Sequence, residues 1–146
     1  MLLRRIDLSI NVRTSSGKGI TYETSICRTN WFGFREVGEG ESICKLDVNE
    51  KLFNPQNVVH GGVLYSLADT SMGGALYPLL ENGDYCATIE IKISYFKPVR
   101  EGVLKCSTAL INKGKTLACL ESEVYNNGIV VAKASGSYSI FSPKTH

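Results

Sequence analysis

The sequence predicts an α+β protein in which one buried helix packs against an antiparallel sheet. Apolar residues recur at helical spacing from Gly62 to about Leu80, and β-type segments precede and follow this run. Two of the later segments are joined by Asn126-Asn127-Gly128, and Asn-Gly between β segments is a strong hairpin signal. Because helix and strands occupy separate parts of the chain, the class is α+β rather than α/β.

A β-hairpin is predicted first. Its strands are Trp31–Val37 and Glu41–Val48, joined by a turn at residues 38–40. The second strand alternates between two faces, with one set of residues expected opposite the other: Ile43, Lys45 and Asp47 against Cys44, Leu46 and Val48. A loop, Asn54-Pro55-Gln56-Asn57, then leads to the helix.

The helix has a mostly apolar surface. Its apolar positions are Val63, Leu64, Leu67, Ala68, Met72, Ala75, Leu76 and Leu79. Most of the others are Ala, Ser or Gly, and a helix that is apolar nearly all round is a buried helix. Pro78 lacks an N–H and is expected to help end it.

Four strands are predicted after the helix, as an antiparallel meander. They are Cys86–Phe96, Val103–Asn112, Leu117–Tyr125 and Ile129–Phe141. One helix cannot cover both faces of such a sheet. Its exposed face and edge strands therefore predict a homo-oligomer.

The composition is that of one globular domain. The chain has 146 residues, of which 43% are hydrophobic and 21% charged. We expect residues 31–146 to form the domain and residues 1–30 an extension, with a short helix or edge strand around residues 20–28. The net charge is +2, without a basic stripe carrying interleaved aromatic residues, so nucleic acid is not an expected partner.

The location is expected to be cytoplasmic. The only apolar stretch near the start contains Arg4, Arg5 and Asp7, which is not typical of a signal peptide, and no later run reaches the ~18 apolar residues of a membrane span. Five cysteines without a C-x-x-C pair are typical of reduced thiols. With His60 and His146 as the only histidines, no metal site is expected.

Asp69 is the first candidate for chemistry. It lies about two turns into the apolar helix, where an ionised carboxylate costs several kcal/mol unless it is paired. It either hydrogen-bonds neighbouring backbone or serves as a general base or nucleophile. No obvious structural partner for it is visible in the sequence.

His60-Gly61-Gly62 at the helix start is the second candidate. Unpaired N–H groups and the helix dipole favour negative charge there, and glycines let a ligand approach the backbone. The two candidates lie about two turns apart, ~11 Å along the axis, too far for one carbonyl carbon to contact both. A symmetric dimer could bring the helix start of one chain to the carboxylate of the other.

These motifs resemble the PaaI-type (phenylacetate-pathway) acyl-CoA thioesterases of the hot-dog superfamily. The resemblance is strong over residues 54–70, which contain Asn54-Pro55, His60-Gly61-Gly62 and Leu67-Ala68-Asp69-Thr70, and weaker over the rest of residues 31–141. It implies a sheet wrapped around a central helix and hydrolysis of an acyl-CoA to free acid and coenzyme A. No cofactor is implied beyond the coenzyme A of the substrate.

The resemblance also implies roles for individual residues. Asp69 matches the catalytic carboxylate, and Gly61 matches the glycine whose N–H polarises the thioester carbonyl. Asn54 matches a polar residue that helps hold the carboxylate or the water, and Thr88 falls where some members orient that water with Ser. His60 either lies near the thioester or only fixes its loop.

One departure from the family pattern is Gly73, where relatives acting on hydroxybenzoyl-CoA carry Thr, so Thr88 is the preferred water-orienting residue. Four residues are expected to contact substrate, two near the motif and two that could meet CoA phosphates: Gly62, Tyr65, Lys113 and Lys115. The alternatives are a hot-dog dehydratase or hydratase, which generally uses a His–carboxylate pair, and a non-catalytic acyl-CoA-binding protein.

Overall fold

The computed structural model describes residues 33–81 and 83–142. The expected extension, including the helix or strand around residues 20–28, lies outside the described residues, as does the predicted strand start at Trp31. The elements in chain order are β1 (Gly33–Gly38), β2 (Glu41–Asp47), α1 (Gly61–Leu76), β3 (Tyr85–Tyr95), β4 (Val103–Lys113), β5 (Leu117–Asn126) and β6 (Ile129–Phe141). One helix packs against one antiparallel sheet of six strands, which confirms the predicted α+β class and the hot-dog fold.

The strand order is β1-β2-β4-β5-β6-β3. The predicted four-strand meander is therefore wrong for β3, which pairs with β6, while β4 pairs with β2. Only β4, β5 and β6 form a meander, because short turns join them and force neighbouring strands to pair. The β3–β4 connection is long enough to cross from one edge of the sheet to its interior, and local turn chemistry does not specify such a crossing.

The helix ends earlier than predicted. After Leu76 the chain continues as a 3-10 turn, Tyr77–Leu79, instead of further α-helix. Pro78 lies at the start of that turn, and its missing N–H removes the donor that an α-helical hydrogen bond would need. The helix begins at Gly61 rather than Gly62, with His60 as its N-cap.

The helix is buried on one side only. Leu67, Ala68, Met72, Ala75 and Leu76 are fully buried against the sheet. The other side carries small or polar residues that are exposed or half-buried, namely Gly62, Ser66, Asp69, Thr70 and Gly73. The predicted buried helix is thus confirmed for the side that packs on the sheet, whereas the side that carries Asp69 is half-buried or exposed in the single chain.

Four buried hydroxyls fix the helix to the sheet. Ser71 on α1 accepts a hydrogen bond from Thr108 at 2.8 Å, and its carbonyl oxygen accepts one from Ser42 at 2.6 Å. Thr108 also lies 2.6 Å from the hydroxyl of Ser122. These contacts join α1 to β2, β4 and β5 just after Asp69, so they restrain the rotation of the helix that carries the carboxylate.

The edge strand β3 borders the open side of the helix. Ile89 and Tyr95 on this strand are 57% and 50% exposed, and Phe96, which follows it, is 53% exposed. Large apolar side chains on an unpaired edge are typical of a surface that another chain covers. Within the described residues, no helix has the length and apolar character needed to cross a membrane.

Candidate active site

The carboxylate of Asp69 is held by two hydroxyls from the sheet. Thr88 Oγ1 on β3 donates to Oδ1 at 2.8 Å, and the hydroxyl of Tyr138 on β6 donates to the same oxygen at 2.6 Å. Both partners are side chains that are far from Asp69 in the sequence. The structural alternative in the sequence analysis was instead a hydrogen bond from Asp69 to neighbouring backbone. These partners were not obvious from the sequence, and two strands of the sheet set the geometry of the carboxylate.

The register of the sheet brings the two hydroxyls together. Thr88 pairs directly with Tyr138, and a β-bulge at Ile89 shifts the pairing so that Glu90 is opposite Ser137. A β-bulge bends the strand and changes the direction in which its side chains point. The side chain of Thr88 faces the helix at this point. The predicted proximity of Thr88 to Asp69 is present, while its role in orienting water stays a prediction.

Tyr138 was not among the residues expected at the site. It is 2% exposed, and its hydroxyl also lies 3.1 Å from the carbonyl oxygen of Asp69. Burial, followed by the hydrogen bond to Asp69 and the charge of that group, raises the pKa of Tyr138 far above its usual value. The hydroxyl therefore remains protonated and acts as a hydrogen-bond donor. The alternation of β6 marks Tyr138 as a core position but does not indicate its partner.

Cys86 forms part of the surroundings of the carboxylate. Burial and the negative charge of Asp69 raise the pKa of Cys86 to about 11. Because the thiolate is the nucleophilic form of cysteine, this thiol is inert at neutral pH. The expected role of Asp69 as base or nucleophile stays a prediction.

His60 caps the helix and uses one of the two glycine N–H groups. The N–H of Gly62 donates to His60 Nδ1 at 2.9 Å, and the N–H of Val63 donates to the His60 carbonyl oxygen at 2.9 Å. The N–H of Gly61 has no acceptor among the described residues. These contacts agree with the loop-fixing interpretation of His60, and they leave Gly61 as the open donor.

An open apolar cavity of about 300 Å³ borders Gly61. Its walls come from the loop before the helix, the first helical turn and the end of β3, and they include Val58, Leu64, Tyr95, Phe96 and Val99. The hydroxyl of Tyr95 donates to the carbonyl oxygen of Gly61 at 2.9 Å. Gly61, whose N–H is open, thus lines a cavity whose other lining residues are mainly apolar.

Asn54 is not brought to the carboxylate within this chain. Its Oδ1 accepts hydrogen bonds from the N–H groups of Gln56 at 2.9 Å and Val58 at 3.4 Å, which closes its own loop. No contact between Asn54 and Asp69 occurs in the described part of the chain. The expected role of Asn54 therefore stays a prediction.

The expected substrate contacts are spread over the molecule. Tyr65 is half-buried beside Tyr95, whose pKa is raised first by burial and then by Tyr65. Lys113 and Lys115 lie at the turn between β4 and β5, at the opposite end of β4 from the cavity. Lys113 pairs with Ala118, which pairs with Tyr138, so the backbone of Lys113 lies two strand spacings, about 10 Å, from that of Tyr138.

Asp69 and Gly61 are both on α1, eight residues apart. At the rise of an α-helix this separates them by about 12 Å along the axis. A single thioester carbonyl therefore cannot contact both groups of one chain. No cluster of three or more His, Cys, Asp or Glu side chains suited to a metal ion occurs over residues 33–81 and 83–142.

Comparison with known proteins places this arrangement in one family. Residues 56–133, which include Gly61, Asp69 and Thr88, match the model of the thioesterase superfamily. A protein of Saccharolobus solfataricus, named provisionally as an esterase, is 32% identical over 109 residues, covering 74% of this chain and 72% of its own length.

Solved structures extend the comparison. The BH2602 protein of Bacillus halodurans, determined with CoA, is 32% identical, with a TM-score of 0.66 over 68% of this chain and 66% of that one. The phenylacetic acid degradation protein PaaI of Thermus thermophilus has the same fold, with 20% identity and a TM-score of 0.73 over 80% of this chain and 98% of that one. The family match spans more than half of the sequence and contains both candidate groups, and we conclude that the chain is a member of the thioesterase superfamily.

Proposed function

We propose that this protein is an acyl-CoA thioesterase that hydrolyses a coenzyme A thioester to a free acid and coenzyme A. The observation that carries the proposal is that Gly61, a residue with an open N–H, lines an apolar cavity and lies on the same helix as the held carboxylate of Asp69. The site thus combines a donor for a developing oxyanion with a group able to activate water or attack the carbonyl.

The chemistry needs few groups. A backbone N–H aimed at the carbonyl oxygen stabilises the negative charge of the tetrahedral intermediate, an effect of about 3–4 kcal/mol per donor. Asp69 acts as general base on a water molecule or as nucleophile on the carbonyl carbon. The thiolate of coenzyme A is a good leaving group, so the proposed reaction uses neither a metal nor another cofactor.

The proposed site is shared between two chains. Gly61 and Asp69 of one chain are too far apart for one thioester, whereas a two-fold axis beside the helices would place Asp69 opposite Gly61 of the neighbour. The exposed apolar side chains of the β3 edge, among them Ile89, Tyr95 and Phe96, support an oligomer formed at this side of the molecule. We propose a dimer or a tetramer of two such dimers.

The remaining substrate contacts follow from position and charge. Tyr65 and the backbone of Gly62 lie at the cavity end of the helix, where they would contact the part of the substrate next to the carbonyl. Lys113 and Lys115 are proposed to meet the phosphates of coenzyme A. Binding of CoA by the Bacillus halodurans relative supports a CoA ester as the substrate class. We propose a cytoplasmic location, because five cysteines without a C-x-x-C pair are typical of reduced thiols.

The test is a free-thiol assay of the protein with aromatic, short, medium and long acyl-CoAs. At least one class should release coenzyme A, and Asp69→Asn should lower kcat by a factor on the order of 10²–10⁴. Asp47→Asn is the matched control, because Asp47 is an exposed carboxylate at the end of β2. Light scattering and circular dichroism should show the same oligomer and fold in all three proteins.

Mass spectrometry of the products separates the alternatives. Free acid supports the proposal, a dehydrated or hydrated thioester indicates the dehydratase–hydratase reaction, and unchanged ligand indicates a binding protein. Wild-type kcat in Asp69→Asn would remove the carboxylate from the mechanism.

A further inference from the structure

We infer that Tyr138 is a positioning residue which, together with Thr88, fixes the carboxylate of Asp69 so that only its Oδ2 atom takes part in the reaction. This inference rests on the proposed thioesterase function. It assigns a role to a residue whose sequence position gave no sign of one.

The two oxygens of the carboxylate are in different situations. Oδ1 accepts hydrogen bonds from both Tyr138 and Thr88. Oδ2 has no hydrogen-bond partner among the described residues, and it keeps some solvent exposure, since that part of the chain contains no buried side-chain oxygen without a partner. Each carboxylate oxygen has about two lone-pair directions, so those of Oδ1 are occupied and those of Oδ2 are free to meet water or a carbonyl carbon.

Two donors on one oxygen also fix the orientation of the group. The terminal torsion of an aspartate is broad and roughly two-fold, so an unrestrained carboxylate exchanges its oxygens readily. Here the donors come from adjacent strands, and any rotation away from this orientation would break both hydrogen bonds. Hydrogen bonds to a carboxylate are charge-assisted and stronger than neutral ones, which makes this restraint effective.

Tyr138 is the firmer of the two anchors. Its hydrogen bond to Oδ1 is shorter than that of Thr88, at 2.6 Å against 2.8 Å. It is 2% exposed on β6, which pairs on both sides, whereas Thr88 is exposed on the edge strand. The raised pKa of Tyr138 keeps its hydroxyl protonated, so it acts on the carboxylate as a hydrogen-bond donor.

The expected effect is on turnover rather than on binding. A reacting group displaced by about 1 Å can lose on the order of 10²-fold in rate. We expect Tyr138→Phe to lower kcat roughly 10- to 100-fold while KM changes less than about twofold, because the orientation matters in the transition state. Phenylalanine fills the same space in the core, so packing is retained.

The experiment is a double-mutant cycle measured with the most active acyl-CoA. Wild type, Tyr138→Phe, Asp69→Asn and the double variant are compared, with thermal unfolding of each. If Tyr138 acts through the carboxylate, Tyr138→Phe should change the residual rate of Asp69→Asn less than about twofold. Tyr125→Phe is the matched control, because Tyr125 also donates to a carboxylate, that of Glu123, on the outer face of the sheet, and its removal should leave kcat and KM unchanged.

A wild-type kcat in Tyr138→Phe overturns the inference. So does a fall of kcat by the same factor in the wild-type and Asp69→Asn backgrounds, because it would indicate a general structural effect. In both cases an active wild type and an inactive Asp69→Asn leave the proposed function standing. Absence of hydrolysis by the wild type overturns both. If Tyr138→Phe fails to fold, Thr88→Val takes its place in the same cycle, with the same pattern expected and the same outcomes overturning the inference.

Discussion

The hydroxyl of Tyr95 lies 2.9 Å from the carbonyl oxygen of Gly61, and the ring closes off one side of that glycine. A Cβ atom added at Gly61 would lie 3.1 Å from the nearest ring carbon of Tyr95. The contact holds the first helical residue at the cavity while its N–H stays open. It also explains why a side chain is poorly accommodated at this position.

This contact permits a paired test of the oxyanion donor. Gly61→Pro removes the N–H at the first helical residue, where proline is tolerated, and His60 already has the extended backbone that a residue before proline requires. We expect kcat to fall by about 10²–10³. Gly61→Ala adds a Cβ but keeps the N–H, and should lose much less, since Tyr95 is half-exposed and can shift. Steady-state kinetics of both variants give the two kcat values. An equal fall of kcat in both would show that the added side-chain atoms, and not the lost N–H, cause the effect.

Thr88→Ala should lower kcat more than it raises KM. The hydroxyl donates to the carboxylate and is expected to orient the attacking water, so its effect falls mainly on the transition state. Because Thr88 is exposed, the melting temperature should change little. An unchanged kcat would remove Thr88 from the site and leave Asn54 as the candidate for holding the water.

Ser71→Ala should destabilise the fold. The Ser71 hydroxyl is fully buried and bridges Thr108 and Ser42, so its removal leaves buried partners incompletely paired, at a cost of about 1–3 kcal/mol. Ser66→Ala is the control on the same helix, because Ser66 is exposed and, among the described residues, its hydroxyl bonds only the carbonyl oxygen of Gly62. Denaturant unfolding should separate the two variants, and equal stability would show that the buried hydroxyls contribute nothing net.

The shared site predicts complementation between two inactive variants. Asp69→Asn and Gly61→Pro should each be inactive as homodimers, whereas a mixed dimer contains one site with both groups intact. Random mixing makes half of the dimers mixed, so roughly a quarter of all sites should work. The two variants are co-expressed, purified together and assayed, and mass spectrometry verifies that mixed dimers are present.

Background activity in a verified mixture would place both groups in one chain and contradict the shared-site geometry. Light scattering supplies an independent check. The protein should be a dimer or a tetramer at micromolar concentration, and a monomer would contradict the shared site before any assay of mixtures.

Much of the fold was predictable because its determinants are local. Helical periodicity located α1 to within a few residues, and Asn127-Gly128 located the β5–β6 hairpin. The alternation in β2 separated its side chains into two faces, and the structure buries Cys44 and Leu46 on one of them. Asp69 and Gly61 were identifiable because a carboxylate in an apolar run and glycines at a helix start are features of neighbouring residues.

The pairing of β3 with β6 and the partners of Asp69 were decided by the tertiary structure. Tyr138 is 69 residues away from Asp69, and only the strand order places it beside Thr88 under the helix. Likewise, the helix α1 is apolar on nearly every side, so its sequence did not indicate which side the sheet would leave uncovered. Turns and periodicity restrain residues a few positions apart, whereas strand order and the coverage of a helix depend on how the whole core packs.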